Sequence, residues 1–185
     1  MSYLQRNKYG VPLWLDYEYI SIKKHCQDNP GHKMFHWGDV PENLLEDSGY
    51  IHDKNKFRKQ RMINSAKEKS ENITNQLKEY GLDGLGYCYD PDGKIIYLPF
   101  QAKSRTSRAL TAECLGSFHL ACGDIKHKHP NSIGYLYYTY KLQDDVKASY
   151  DLRKHIIPVN FPYKTNININ KIDKSEYIVQ DLHID

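Results

Sequence analysis

The chain has 185 residues, with 26 lysines and arginines against 23 aspartates and glutamates, and 39% of its residues are apolar. That length suits one domain with a real core and is short for two. No segment approaches the ~20 apolar residues that cross a bilayer, and the opening MSYLQRNKYGVPLW lacks a signal peptide's charged-then-apolar layout, so membrane-embedded and secreted classes are excluded as expectations. The near-balanced charge neither demands nor excludes nucleic acid, because a local basic patch matters more than the sum.

Sixteen tyrosines against five phenylalanines suggest a strand-rich fold with half-exposed faces, since a tyrosine packs its ring and keeps its hydroxyl wet. Cys26, Cys88, Cys114 and Cys122 are scattered, which points to reduced thiols in a soluble, intracellular protein. Residues 1–50 read as a loop-rich extension packed on the core, punctuated by NPGHK and WGDVPEN, with Trp37 and Leu44-Leu45 capping that core. The spacing of Met62, Ile63, Ala66, Ile73 and Leu77 predicts a helix that Gly81 stops. LDGLGYCYDPDGKIIYLPFQAK then reads as a β-hairpin, SRALTAECLGSFHLACG as a helix and IGYLYYTYKL as a strand. QDDVKASYDLRKH follows as a short helix, and NININKI alternates as a strand would. The order predicts an α/β sandwich around a mixed sheet, with residues 51–185 as its main body and the whole chain as a single domain.

The hairpin register carries the functional argument. Asp90-Pro91-Asp92-Gly93 suits a type I turn followed by a left-handed glycine, which pairs Asp90 with Lys94. Counting back along both strands sets Asp83 across from Gln101, and strand alternation puts Lys103 on the same side. Ile96, Leu98 and Phe100 point the other way, toward a core, while Pro99 is the position where a bulge would shift the register. One face therefore carries a carboxylate, an amide and an amine. A hard cation such as Mg²⁺ takes oxygen ligands and only one or two protein carboxylates. Asp83 would supply the anionic ligand, Gln101 an amide oxygen and Ala102 its carbonyl oxygen. Lys103 would orient the attacking water and stabilise charge developing on a phosphate.

These residues resemble a known pattern. LDG before the hairpin and QAK within IYLPFQAKSR resemble the D…QxK core of the Mrr-type restriction endonucleases, a branch of the PD-(D/E)xK nuclease superfamily in which glutamine replaces an acidic residue. The similarity runs over roughly residues 60–150. It implies a restriction-endonuclease-like three-layer core, a central mixed β-sheet flanked by helices, and Mg²⁺-dependent cleavage of DNA with Mn²⁺ able to substitute. Asp83, Gln101 and Lys103 would hold the catalytic positions. The chain would act alone or as the cleavage module of a larger restriction or helicase-type protein, and as a homodimer where both strands are cut. The superfamily usually carries a glutamate on the helix before the hairpin, for which Glu68, Glu71 and Glu79 are the candidates.

In KSRTSR, Arg105, Ser107 and Arg108 fall at an expected helix start, where hydroxyls, amides and guanidinium groups suit phosphate oxygens. KFRKQR reads as a second backbone contact or a solvated helix face. Cys114, His119, Cys122, His127 and His129 lack the paired C-x-x-C spacing of strong zinc sites. A rival reading keeps the fold as a non-catalytic nucleic-acid-binding module, with neutral Gln101 leaving the metal site weak.

Overall fold

A computed structural model describes residues 5–50, 81–105 and 107–162 of the chain. Among these, five strands form one mixed sheet in the order β1-β2-β3-β4-β5, with helices on both faces. In chain order the elements are α1 (Leu13–Asp28), β1 (Lys33–His36), a 3₁₀ turn (Trp37–Asp39), α2 (Glu42–Ser48), β2 (Gly84–Tyr89) and β3 (Ile95–Lys103). They continue with α3 (Ala112–Lys128), β4 (Gly134–Tyr138), α4 (Asp144–Leu152) and β5 (Ile156–Asn160).

The hairpin arithmetic holds along the whole ladder. Gly84 pairs with Phe100, Leu85 with Pro99 and Tyr89 with Ile95, so Pro99 introduces no shift. The turn closes through Asp90 N–H to Lys94 O (2.8 Å) and Gly93 N–H to Asp90 O (2.9 Å). Gly93 has φ 80°, a left-handed conformation that a Cβ disfavours. The Asp90 carboxylate adds acceptor bonds from Asp92 N–H and Lys94 N–H, both 2.9 Å.

β1 extends this antiparallel meander on β2, with Met34 opposite Gly86. The strands approach so closely there that a Cβ on Gly86 would sit 2.0 Å from the Lys33 carbonyl oxygen. Backbone cannot yield as a side-chain tip can, so Gly86→Ala is expected to cost about 2–3 kcal/mol, read as a lower urea midpoint with an unchanged slope. A variant as stable as the parent would show that the β1–β2 pairing is dispensable. On the other side of β3 the sheet turns parallel: Phe100 pairs with Tyr135, and Gly134 with Ile156. Helices α3 and α4 provide the two crossovers that such pairing requires.

Both sheet faces are covered, which corrects the expectation of half-exposed faces. Tyr17, Ile20 and Ile22 of α1 pack on Met34, Leu98, Phe100, Tyr135 and Tyr137. Leu115, Phe118, Cys122 and Ile125 of α3, with Val146 and Tyr150 of α4, pack on Leu85, Tyr87, Tyr97 and Leu136. Each fully buried large apolar side chain contributes about 1.5–3 kcal/mol. The tyrosines serve mainly as core, with Tyr17 and Tyr137 under 2% exposed.

The first fifty residues are not a loop-rich extension. They supply a 16-residue helix and an edge strand of the sheet. The helical pattern is hidden because the buried side of α1 carries Asp16, Glu18, Ser21 and His25 among its apolar residues. Trp37 and Leu44 are buried in the core, as expected. Helix α3 starts at Ala112, capped by the Thr111 hydroxyl, and runs on to Lys128, past Gly123 where the expected helix ends. Strand β5 was not anticipated. The helix expected before Gly81, the KFRKQR run and the NININKI strand lie outside the described residues. No described helix is long and apolar enough to cross a membrane.

Candidate active site

Asp83 occupies the residue before β2 and is held from both sides. Its carbonyl accepts from Trp37 N–H (2.8 Å) and its N–H donates to Phe100 O (2.9 Å). This backbone clamp fixes the side chain over the C-terminal end of β3. There one carboxylate oxygen, Oδ2, accepts from the Gln101 side-chain amide (2.7 Å) and from the Ala102 backbone N–H (2.8 Å). The pairing expected from the turn is therefore a direct contact. The face carrying it is not wet: Asp83 is 8% exposed and Gln101 6%. Lys103, two residues on from Gln101, is half-buried, and its charge partly opposes the rise that burial gives the Asp83 carboxyl.

The structure adds a second carboxyl group that sequence reasoning missed. Glu18, on the second turn of α1, is 5% exposed and hydrogen-bonds with Asp83. Its Oε2 also accepts from His36 Nε2 at 2.7 Å. The His36 ring is fixed in turn, because its Nδ1 accepts from Gly38 N–H (3.3 Å) and its face stacks on Tyr19 at 4.3 Å. An Nδ1 that accepts leaves the proton on Nε2, so His36 can donate to Glu18 in its neutral form. Glu68, Glu71 and Glu79 lie outside the described residues. The signal available in sequence was the spacing Glu18-Ile22-His25, a charged residue in line with one buried helix face.

Two buried carboxyls in contact resist ionising together. Burial, opposed by the Asp83 hydrogen bond and the Lys103 charge, pushes Glu18 up to about 8. Burial and then the Glu18 charge raise Asp83 well above the usual carboxylate range. The pair therefore retains a proton at neutral pH.

Such a pair fits a divalent cation, whose charge would replace the proton and repay the burial. The donor set is all oxygen: Glu18, Asp83 and the Ala102 carbonyl, joined by the Gln101 amide oxygen if the amide turns about its last bond. As placed, Gln101 offers its N–H to Asp83 rather than its oxygen. Among the described residues, no group of three or more His, Cys, Asp or Glu side chains could hold a metal ion. Any cation here depends on neutral oxygens and water beyond the two carboxylates.

Arg105, Ser107 and Arg108 lie in the loop between β3 and α3, not in a helical first turn, because α3 begins only at Ala112. This loop is anchored beside the site. Arg105 N–H donates to Thr139 Oγ1 (2.7 Å), that hydroxyl donates to Arg105 O (2.5 Å), and Leu110 N–H donates to Lys141 O (2.9 Å). Ser107 and Arg108 are exposed, as are Tyr140 and Lys141 just past β4, where the Lys141 ammonium lies 5.5 Å from the Tyr140 ring centre. Four cysteines are unbridged, with Cys122 buried among apolar residues.

Comparison of the chain with protein-family models, with curated proteins and with solved structures finds no match.

Proposed function

We propose that the chain is a metal-dependent endonuclease that hydrolyses DNA phosphodiester bonds on a restriction-endonuclease-like core of the Mrr type. The observation that carries this reading is the convergence of Glu18, Asp83, Gln101 and Lys103 at one end of the β2–β3 hairpin. Glu18 comes from a helix that precedes the hairpin, the origin that the resemblance to this superfamily expects for its glutamate.

Glu18, Asp83, Ala102 and Gln101 would hold Mg²⁺ or Mn²⁺, which when bound would polarise a phosphoryl oxygen and lower the pKa of a water. The chain's own residues do the remainder. His36 fixes the Glu18 carboxylate, and the Ala102 N–H fixes that of Asp83. Lys103 places a positive charge where negative charge develops on the attacked phosphate and orients the incoming water. Arg105, Ser107 and Arg108 border the site and grip the phosphate backbone. Cutting both strands of a duplex takes two such sites, so the active form is a homodimer.

The test is cleavage of plasmid, linear and single-stranded DNA with Mg²⁺ or Mn²⁺, with and without EDTA. Cleavage that EDTA stops is expected. No cleavage with either ion on DNA or RNA would defeat the enzyme reading and leave the non-catalytic nucleic-acid-binding module, which the Gln101 amide donating to Asp83 favours. Under both readings, Arg105→Ala/Arg108→Ala is expected to reduce the slope of log affinity against log salt by about 2. An unchanged slope would take these arginines off the DNA.

A further inference from the structure

The carboxyl ends of the parallel strands β3, β4 and β5 lie side by side, the end of such a sheet at which ligands ordinarily bind. Lys103 ends β3 there, and two residues past the end of β4 stands Tyr140, 45% exposed. The backbone that carries this ring is pinned from both sides. Toward β3, Thr139 N–H donates to Lys103 O (3.3 Å) and Leu110 N–H to Lys141 O (2.9 Å). From β5, the Asn160 side-chain amide donates to Tyr140 O (3.1 Å).

An exposed tyrosine is ordinary by itself. The surroundings set this one apart. The stretches 103–112 and 134–143, joined by those bonds, contain Lys103, Arg105, Arg108 and Lys141 and no acidic residue. Asp144 and Asp145 come next, in the first turn of α4, where the helix dipole favours them. The Lys141 ammonium lies over the Tyr140 ring, 5.5 Å from its centre, so ring and cation are presented together. A fixed aromatic ring among cations suits single-stranded nucleic acid, whose phosphates follow the charges while a base stacks on the ring. A duplex keeps its bases stacked on one another and has none to offer such a ring.

We propose that Tyr140 stacks on an unpaired base of the strand that Arg105 and Arg108 grip. The inference rests on the reading of those arginines as backbone contacts, and it names the substrate class. That class is DNA that is single-stranded, or locally melted, where it crosses the carboxyl ends of β3 and β4. Stacking is uncharged, so it adds affinity without adding to the salt dependence.

The experiment measures binding in EDTA by fluorescence anisotropy of labelled oligothymidylate, an abasic strand of equal length, and a duplex. The parent is expected to hold oligothymidylate about tenfold or more tighter than the abasic strand. Tyr140→Ala should abolish that difference and leave the abasic and duplex affinities and the salt slope unchanged, whereas Tyr140→Phe should keep it. An unchanged urea midpoint shows that the variants are folded. Equal parental affinity for the two strands overturns the proposal, and so does a difference that persists in Tyr140→Ala. A loss shared by all the probes, or no binding to any of them, overturns it as well. Cleavage is a separate readout. Tyr140-dependent binding without EDTA-sensitive cleavage keeps this inference and defeats the nuclease, and cleavage without base-dependent binding does the reverse.

Discussion

Glu18→Gln is expected to yield a folded protein that is more stable than the parent and has lost about 10³-fold or more of its divalent-ion-dependent cleavage. The two effects have one cause. Glu18 and Asp83 are buried against each other, and each makes the other harder to ionise. Glutamine keeps the shape. Its oxygen can still accept from His36 and its N–H₂ can donate to Asp83, while the like-charge repulsion disappears. In EDTA at pH 8 the relief is on the order of 2–3 kcal/mol, or roughly 5–10 °C in unfolding temperature. Asp83→Asn should behave in the same way. A Glu18→Gln protein that cuts DNA at the parent's rate would remove Glu18 from the mechanism. One that is inactive and less stable would make its role structural.

The second large effect concerns pH. A carboxyl whose pKa is raised on folding keeps its proton in the folded state after the unfolded chain has released it. Stability is then fully present below the unfolded value and is lost as pH climbs through the folded one. For Glu18 that window runs from the model-peptide value of 4.5 to about 8. Histidines buried in the neutral form act in the opposite sense. His25, whose two ring nitrogens bond Tyr137 and His32, is pushed down to about 4 by burial and by His32, so its contribution grows as pH rises from about 4 to 6.5. His32, His119 and His155 are lowered too, chiefly by burial, and add to that rise. The opposing trends leave 6.5 to 8 as the interval in which the carboxyl pair dominates. Unfolding free energy in EDTA is expected to fall there by about 2 kcal/mol, read from urea curves. Glu18→Gln should flatten the fall, and excess Mg²⁺ should remove it, because a cation that binds only the folded state takes the place of the proton. A flat profile for the metal-free parent would mean that the two carboxyls are not coupled in solution.

What could be seen in sequence was local. A turn with a glycine after Asp-Pro-Asp determines how two adjacent strands face each other, and nothing more distant than Lys103 enters that count. Asp83 against Gln101 was accordingly legible, and so was a core side for Leu98 and Phe100. Helix α1 was not, because hydrophobic periodicity registers a helix only when its buried side is apolar. Here the buried side holds Asp16, Glu18, Ser21 and His25, and three of the four bond to side chains outside the helix. Asp16 accepts from Asn7, Glu18 from His36, and His25 lies between Tyr137 and His32. The same polar residues that obscured the helix supply the candidate site with its second carboxyl group. Arg105 and Arg108 were identified as basic residues beside the site, but the helix expected beneath them starts several residues later, at the Thr111 cap. Loop geometry of that kind depends on the Thr139 and Lys141 contacts from a neighbouring strand, which no local pattern encodes.

The Asp90–Gly93 turn closes the hairpin at the end remote from Asp83, and its glycine faces open space. Loop length adds little to the cost of closing a turn, so this bend is the place to splice in a peptide tag or a fluorophore. A label there would report binding of any ligand at the other end of the hairpin without touching the carboxyl pair. The bend that made the site readable thus also offers a handle for watching it work.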